Sequence, residues 1–129
     1  MKRTLKLLVL CISILCLSVS ALAAIAIEPF SANTYTMSLA FSGNSATCGL
    51  TITGASGTTK IDNVTITLRE SNGTLVNQWT NLSATGPVFT FSRSTTTVVQ
   101  GRAYTLSFSA TIHRNGVAEP ISGSITRTY

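Results

Sequence analysis

The sequence predicts an all-β fold: an antiparallel seven-stranded β-sandwich, preceded by an N-terminal signal helix. Three observations predict it. Apolar and polar residues alternate with a period of two in run after run beyond residue 33. Gly, Asn and Pro punctuate those runs at short intervals. No segment beyond the leader places apolar residues at helical spacing.

The leader comes first. Lys2, Arg3 and Lys6 precede an uncharged apolar run from Leu7 to Ile27, which contains Ala21-Leu22-Ala23-Ala24. A basic start, an apolar middle and an Ala-x-Ala site define a secretory signal peptide, cut after Ala23 or Ala24. The alternative is an uncleaved anchor, since the run is long enough to span a bilayer; that is the one membrane contact the sequence offers. Neither Cys11 nor Cys16 follows a small residue, so no lipid anchor is expected. The organisation is therefore a signal peptide over 1–23, a linker over 24–33 containing Pro29, and a β-sandwich domain over 34–129. The expected location is secreted, or at the cell surface.

Removing residues 1–23 leaves six basic and four acidic residues, a net charge of +2. The cations are scattered singly, which excludes a nucleic-acid patch. Two of the three cysteines leave with the leader, and Cys48 remains without a partner in its own chain. The domain must then rest on its core, which this length can supply without a disulfide.

The strands follow in order. Tyr35, Met37, Leu39 and Phe41 share one face, with Thr36, Ser38, Ala40 and Ser42 on the other. Cys48, Leu50 and Ile52 continue the apolar face after a four-residue loop over 43–46, which sets Phe41 opposite Cys48. Gly54 to Gly57 ends that strand. Val64, Ile66 and Leu68 come next, and Asn72-Gly73 suits a two-residue type I′ turn. Folding back there pairs Leu68 with Asn77 and Ile66 with Trp79, leaving Asn77 as a polar oddity on the apolar face. Phe89 and Phe91 form a short strand, and the polar stretch Arg93–Thr97 is expected to bend away. The longest strand is expected over Arg102–Arg114, with Tyr104, Leu106, Phe108, Ala110 and Ile112 inward. Asn115-Gly116 then turns the chain so that Ala110 meets Ile121, Phe108 meets Gly123 and Leu106 meets Ile125. Pro120 marks an edge, because it cannot donate to a ladder.

The segment Val99-Gln100-Gly101-Arg102-Ala103-Tyr104-Thr105-Leu106-Ser107-Phe108 resembles the penultimate strand of fibronectin type III and immunoglobulin-like domains. The resemblance implies that Tyr104 is a tyrosine corner, its hydroxyl bonded to upstream backbone. Trp79 does not match an immunoglobulin core tryptophan and the inter-sheet cysteine pair is missing, so the likeness is one of architecture. The chain as a whole is similar to small Ser/Thr-rich secreted proteins of Gram-positive bacteria.

Candidate chemistry is sparse. His113 is the one histidine and reads as an exposed residue beside a turn; a zinc site would need more ligands than the mature chain provides. Glu28, Asp62, Glu70 and Glu119 read as separate, solvated carboxylates, whereas glycoside hydrolysis needs two facing each other. No nucleophile elbow or phosphate-cradling loop occurs. Cys48, in phase with Leu50 and Ile52, reads as a buried small hydrophobe, with an intermolecular disulfide as the alternative. Trp79 reads as core rather than as a sugar platform. Asn63, Asn72 and Asn81 begin N-x-[ST] sequons, which a chain this rich in Ser and Thr acquires by chance. No catalytic, metal or cofactor residue is assigned, and no cofactor is expected. The function expected is a non-catalytic binding or adhesion module for a protein or glycan, with a self-associating surface protein and an enzyme as alternatives. Its outward positions are almost all Ser and Thr.

Overall fold

The computed structural model describes residues 32–129, so the leader and nearly all of the linker lie outside the described residues. Seven strands follow: β1 (Thr34–Ser42), β2 (Ser45–Thr53), β3 (Thr58–Glu70), β4 (Leu75–Thr85), β5 (Val88–Thr95), β6 (Ala103–Arg114) and β7 (Val117–Thr128). They form two antiparallel sheets, one of three strands in the order β1-β2-β5 and one of four in the order β4-β3-β6-β7. The sheets face one another as a sandwich, as period-two alternation requires when one face of each is apolar.

The core is the inward face of both sheets. Ala46, Cys48 and Ile52 from β2 and Ile61, Val64, Ile66 and Leu68 from β3 are fully buried, as are Leu106 and Ile112 from β6. Val98, from the β5–β6 connection, closes the core and donates its N–H to the Asn44 carbonyl at 3.1 Å. Tyr104 is buried, and its hydroxyl accepts the Val99 N–H at 2.8 Å, which is the upstream backbone bond of a tyrosine corner.

The hairpin after β6 matches its sequence signal. Asn115 and Gly116 both have positive φ, and Ala110, Phe108 and Leu106 pair with Ile121, Gly123 and Ile125. The glycine at 123 serves a different ring from the one expected. A Cβ there would meet Tyr35 at 2.5 Å, and Tyr35 in turn packs edge-on against Phe108 with centroids 4.9 Å apart.

Four expectations need correction. The first loop is two residues, not four: Ser42 pairs with Ser45, and only Gly43 of the two loop residues has positive φ, the signature of a type II′ turn. The register therefore slides by two, Phe41 to Ala46 and Leu39 to Cys48, and because the slide is even the apolar faces still coincide.

The turn at Asn72-Gly73 is three residues long rather than type I′. Asn72 keeps negative φ, Gly73 N–H donates to Glu70 at 2.8 Å, and Glu70 N–H donates to Thr74 at 2.9 Å. A bulge at Val76 restores the count, so Leu68 still meets Asn77 and Ile66 meets Trp79. Two deviations cancel, and the expected pairs survive.

The longest strand is β3 rather than β6. Its first half was hidden because Asn63, at φ 50°, bulges and breaks the alternation, so that Ile61 and Val64, three apart, both point inward. Finally, Arg93–Thr95 does not bend away. It continues β5, pairing Arg93 with Cys48 and Thr95 with Ala46, because β5 is an edge strand whose polar side chains reach solvent.

Candidate functional site

Strand parity sorts the outward side chains of the three-stranded sheet. They come from Thr34, Thr36, Ser38, Ala40 and Ser42 of β1, from Ser45, Thr47, Gly49, Thr51 and Thr53 of β2, and from Val88, Thr90, Ser92 and Ser94 of β5. None carries a charge. In the middle, Gly49 lies between Ser38 and Ser92. A Cβ on Gly49 would collide with the Ser38 hydroxyl, so the missing side chain lets Ser38 lean across the sheet. The result is a shallow hollow of about 350 Å³ bordered by Thr36, Ser38, Gly49, Thr51, Thr90 and Ser92. Hydroxyls of this kind both donate and accept, so the face can meet an uncharged polar partner without desolvating an ion.

Charged side chains gather on the other sheet, in pairs that sequence reasoning did not foresee. His113 is half-buried rather than exposed, with Nε2 2.8 Å from Asp62 Oδ1. Lys60 Nζ lies 3.1 Å from Asp62 Oδ2. The His113 hydrogen bond, then that from Lys60, holds the Asp62 carboxyl below its ordinary range. The pair assembles because β3 and β6 are neighbours, with Lys60 opposite His113 and Asp62 opposite Thr111. No Ser, Thr or Cys side chain is hydrogen-bonded to the imidazole among the described residues. The cluster joins strands and lacks the nucleophile–base contact that acyl transfer needs.

Glu119 corrects a second expectation. It is buried, not solvated, at 6% exposure. Its Oε2 accepts the Asn33 amide at 2.8 Å, while Oε1 faces Arg114 Nη2 at 3.5 Å. Asn33 Oδ1 also accepts the Ala55 N–H at 2.7 Å, so the residue read as the end of the linker is bound into the sandwich. The signal was present in the sequence: Glu119 is in phase with Ile121, Gly123 and Ile125, and parity alone sends it inward. Glu70 is likewise paired, with Arg102 at 3.2 Å.

Cys48 lies where the alternation put it, fully buried and unpaired, and burial pushes its thiol up to about 11. Trp79 is half-buried and packs edge-on against Phe91, with centroids 5.1 Å apart. The oddity at Asn77 has a partner: its amide donates to Thr95 Oγ1 at 3.1 Å, a bond from β4 to β5. Among the described residues, no three His, Cys, Asp or Glu side chains converge as a metal site would require.

The fold defines an antiparallel β-sandwich of three and four strands. No family model and no curated protein matches the sequence. Solved structures that resemble it include β-glucuronidases. One is from Parabacteroides merdae, with 11% identity over 73% of this chain and a TM-score of 0.49. A calcium-binding mutant of Bacteroides uniformis β-glucuronidase 2 has 15% identity over 76% of this chain and a TM-score of 0.44. Another Bacteroides uniformis β-glucuronidase has 13% identity over 76% and a TM-score of 0.45. In each case the match spans 13% of the enzyme's length.

Proposed function

We propose that this protein is a non-catalytic binding or adhesion module, secreted or held at the cell surface, that meets an uncharged protein or glycan partner through the outer face of its three-stranded sheet. The observation that carries the reading is the composition of that face. Fourteen outward positions hold eleven Ser or Thr and no charge, around the hollow at Gly49. Soluble domains ordinarily place Lys and Glu at such positions. Supporting it, each acid among the described residues is engaged by a base of the same domain, Asp62 with Lys60 and His113, Glu70 with Arg102, and Glu119 with Arg114.

The test is a binding measurement against a panel of neutral glycans and extracellular proteins. The expected result is saturable binding that is lost in Thr51→Lys and in Ser92→Lys, and kept in Ser124→Lys on the opposite sheet. Saturable binding that survives both changes, no saturable binding across the panel, or turnover of chromogenic glycosides and esters contradicts the proposal.

A further inference from the structure

Among the described residues the sandwich has four edge strands: β1 and β5 on one sheet, β4 and β7 on the other. Unpaired N–H and C=O groups on an edge invite another strand, and proteins ordinarily guard edges with charge, proline or bulges. Three of these edges are guarded. β5 carries Arg93, β7 carries Glu119, Pro120 and Arg127, and β4 is broken by the bulge at Val76 and by Asn81 at φ 56°. β1 has no such device. Its nine residues, Thr34–Ser42, contain no charge, proline or glycine, and pair with β2 in an unbroken register.

Which groups the edge offers follows from the turn. A two-residue hairpin turn makes Ser42 and Ser45 a hydrogen-bonded pair, and such pairs alternate along the ladder. The N–H and C=O of Tyr35, Met37, Leu39 and Phe41 therefore point away from β2. The same four residues carry the apolar side chains. Those of Tyr35, Met37 and Phe41 stay partly exposed, Tyr35 at 42%, whereas inward residues of β2 are fully covered.

We propose that β1 pairs antiparallel with β1 of a second copy of this chain, on a two-fold axis at Ser38, so that the two three-stranded sheets become one. The strand is its own complement in this register. Tyr35 meets Phe41, Met37 meets Leu39, Thr36 meets Ala40 and Ser38 meets Ser38. Inward apolar residues face one another, outward small residues face one another, and no like charges oppose. The pairs that would exchange hydrogen bonds are those whose backbone groups point outward. This self-complementarity is what commits the edge to a second copy. The contact uses an edge, not the outer face, so its failure and the failure of the binding proposal are separate results.

The experiment uses the protein as purified after expression of the full chain. Sedimentation equilibrium should show a reversible dimer at concentrations up to about 0.5 mM. Ser38→Cys, oxidised under native conditions, should form a disulfide-linked dimer; Ser92→Cys on the opposite edge should not. Thr36→Lys/Ala40→Lys sets lysine against lysine twice across the axis and should weaken the dimer roughly tenfold while leaving the melting temperature near that of the parent. The lysine pair decides the matter alone if Ser38→Cys fails to fold. A monomer throughout, a dimer indifferent to the lysines, cross-linking through Ser92→Cys instead, or β1 found paired with a different protein overturns the proposal.

Discussion

The two sheets draw on the same hydroxyl residues, yet they treat charge in opposite ways. On or beside β3, β6 and β7 stand Lys60, Asp62, Arg69, Glu70, Arg102, His113, Arg114, Glu119 and Arg127; the three-stranded sheet holds Arg93 alone. The four-stranded sheet uses its charges to join strands distant in sequence, as Asp62 and His113 do across β3 and β6. The three-stranded sheet is held by backbone pairing and by its apolar inner face. The difference teaches that one side of the sandwich engages each of its acids with a base of its own, while the other is free for contacts that do not depend on charge.

The largest expected effect lies inside the three-stranded sheet. If its inner face is sealed without help from charge, Cys48 should react with a thiol reagent at least about a thousandfold more slowly in native protein than in denaturant, since access requires opening the core. Rapid native labelling, or a reducible dimer through Cys48, breaks the comparison at its root.

Next comes the buried carboxylate of the other sheet. Glu119→Ala strands the Arg114 guanidinium and frees the Asn33 amide that ties the residue before β1 to β7. The expected loss is about 2 kcal/mol in chemical denaturation, well above that of a surface substitution. A loss under about 0.5 kcal/mol would show that the pair is ornamental.

Tyr104→Phe removes the acceptor of the Val99 N–H and should cost about 1 kcal/mol with the fold intact. An unchanged melting curve removes the tyrosine corner from the account.

The smallest effect is a pH dependence. The folded carboxyl of Asp62 lies below its ordinary value of 3.8. A carboxylate so depressed stabilises the fold fully above that value, and the contribution drains away as pH falls through the depressed one. Asp62→Asn should therefore lower the melting temperature slightly at pH 7, and parent and variant should converge at the acid end. Parallel curves throughout would show that the His113–Asp62 contact contributes nothing.

Much of this architecture was legible because alternation survives small errors of turn length. The first hairpin slid by an even number of residues, and the second gained one residue in the turn and another in the Val76 bulge, so inward residues stayed inward. What could not be read was the phase change inside β3, since nothing in Asp62-Asn63 announces that a strand resumes with its face reversed in count. The ion pairs were missed for a different reason. Asp62 and His113 lie 51 residues apart, and only the order β4-β3-β6-β7 makes them neighbours. Glu119 was legible by parity, which outweighs the usual preference of carboxylates for solvent where Arg114 and the Asn33 amide stand within reach. The uncharged outer face was the feature best foreseen, because outward Ser and Thr are visible wherever alternation is.

The claim that the three-stranded sheet is the contact side is tested most directly by the salt dependence of whatever association the protein shows, ligand binding or dimerisation. Between about 50 and 500 mM salt, screening increasingly removes interactions between exposed charges and leaves uncharged contacts nearly untouched. The affinity should stay flat across that range. A steep loss with salt would contradict the account and move the contact to the arginines of the four-stranded sheet.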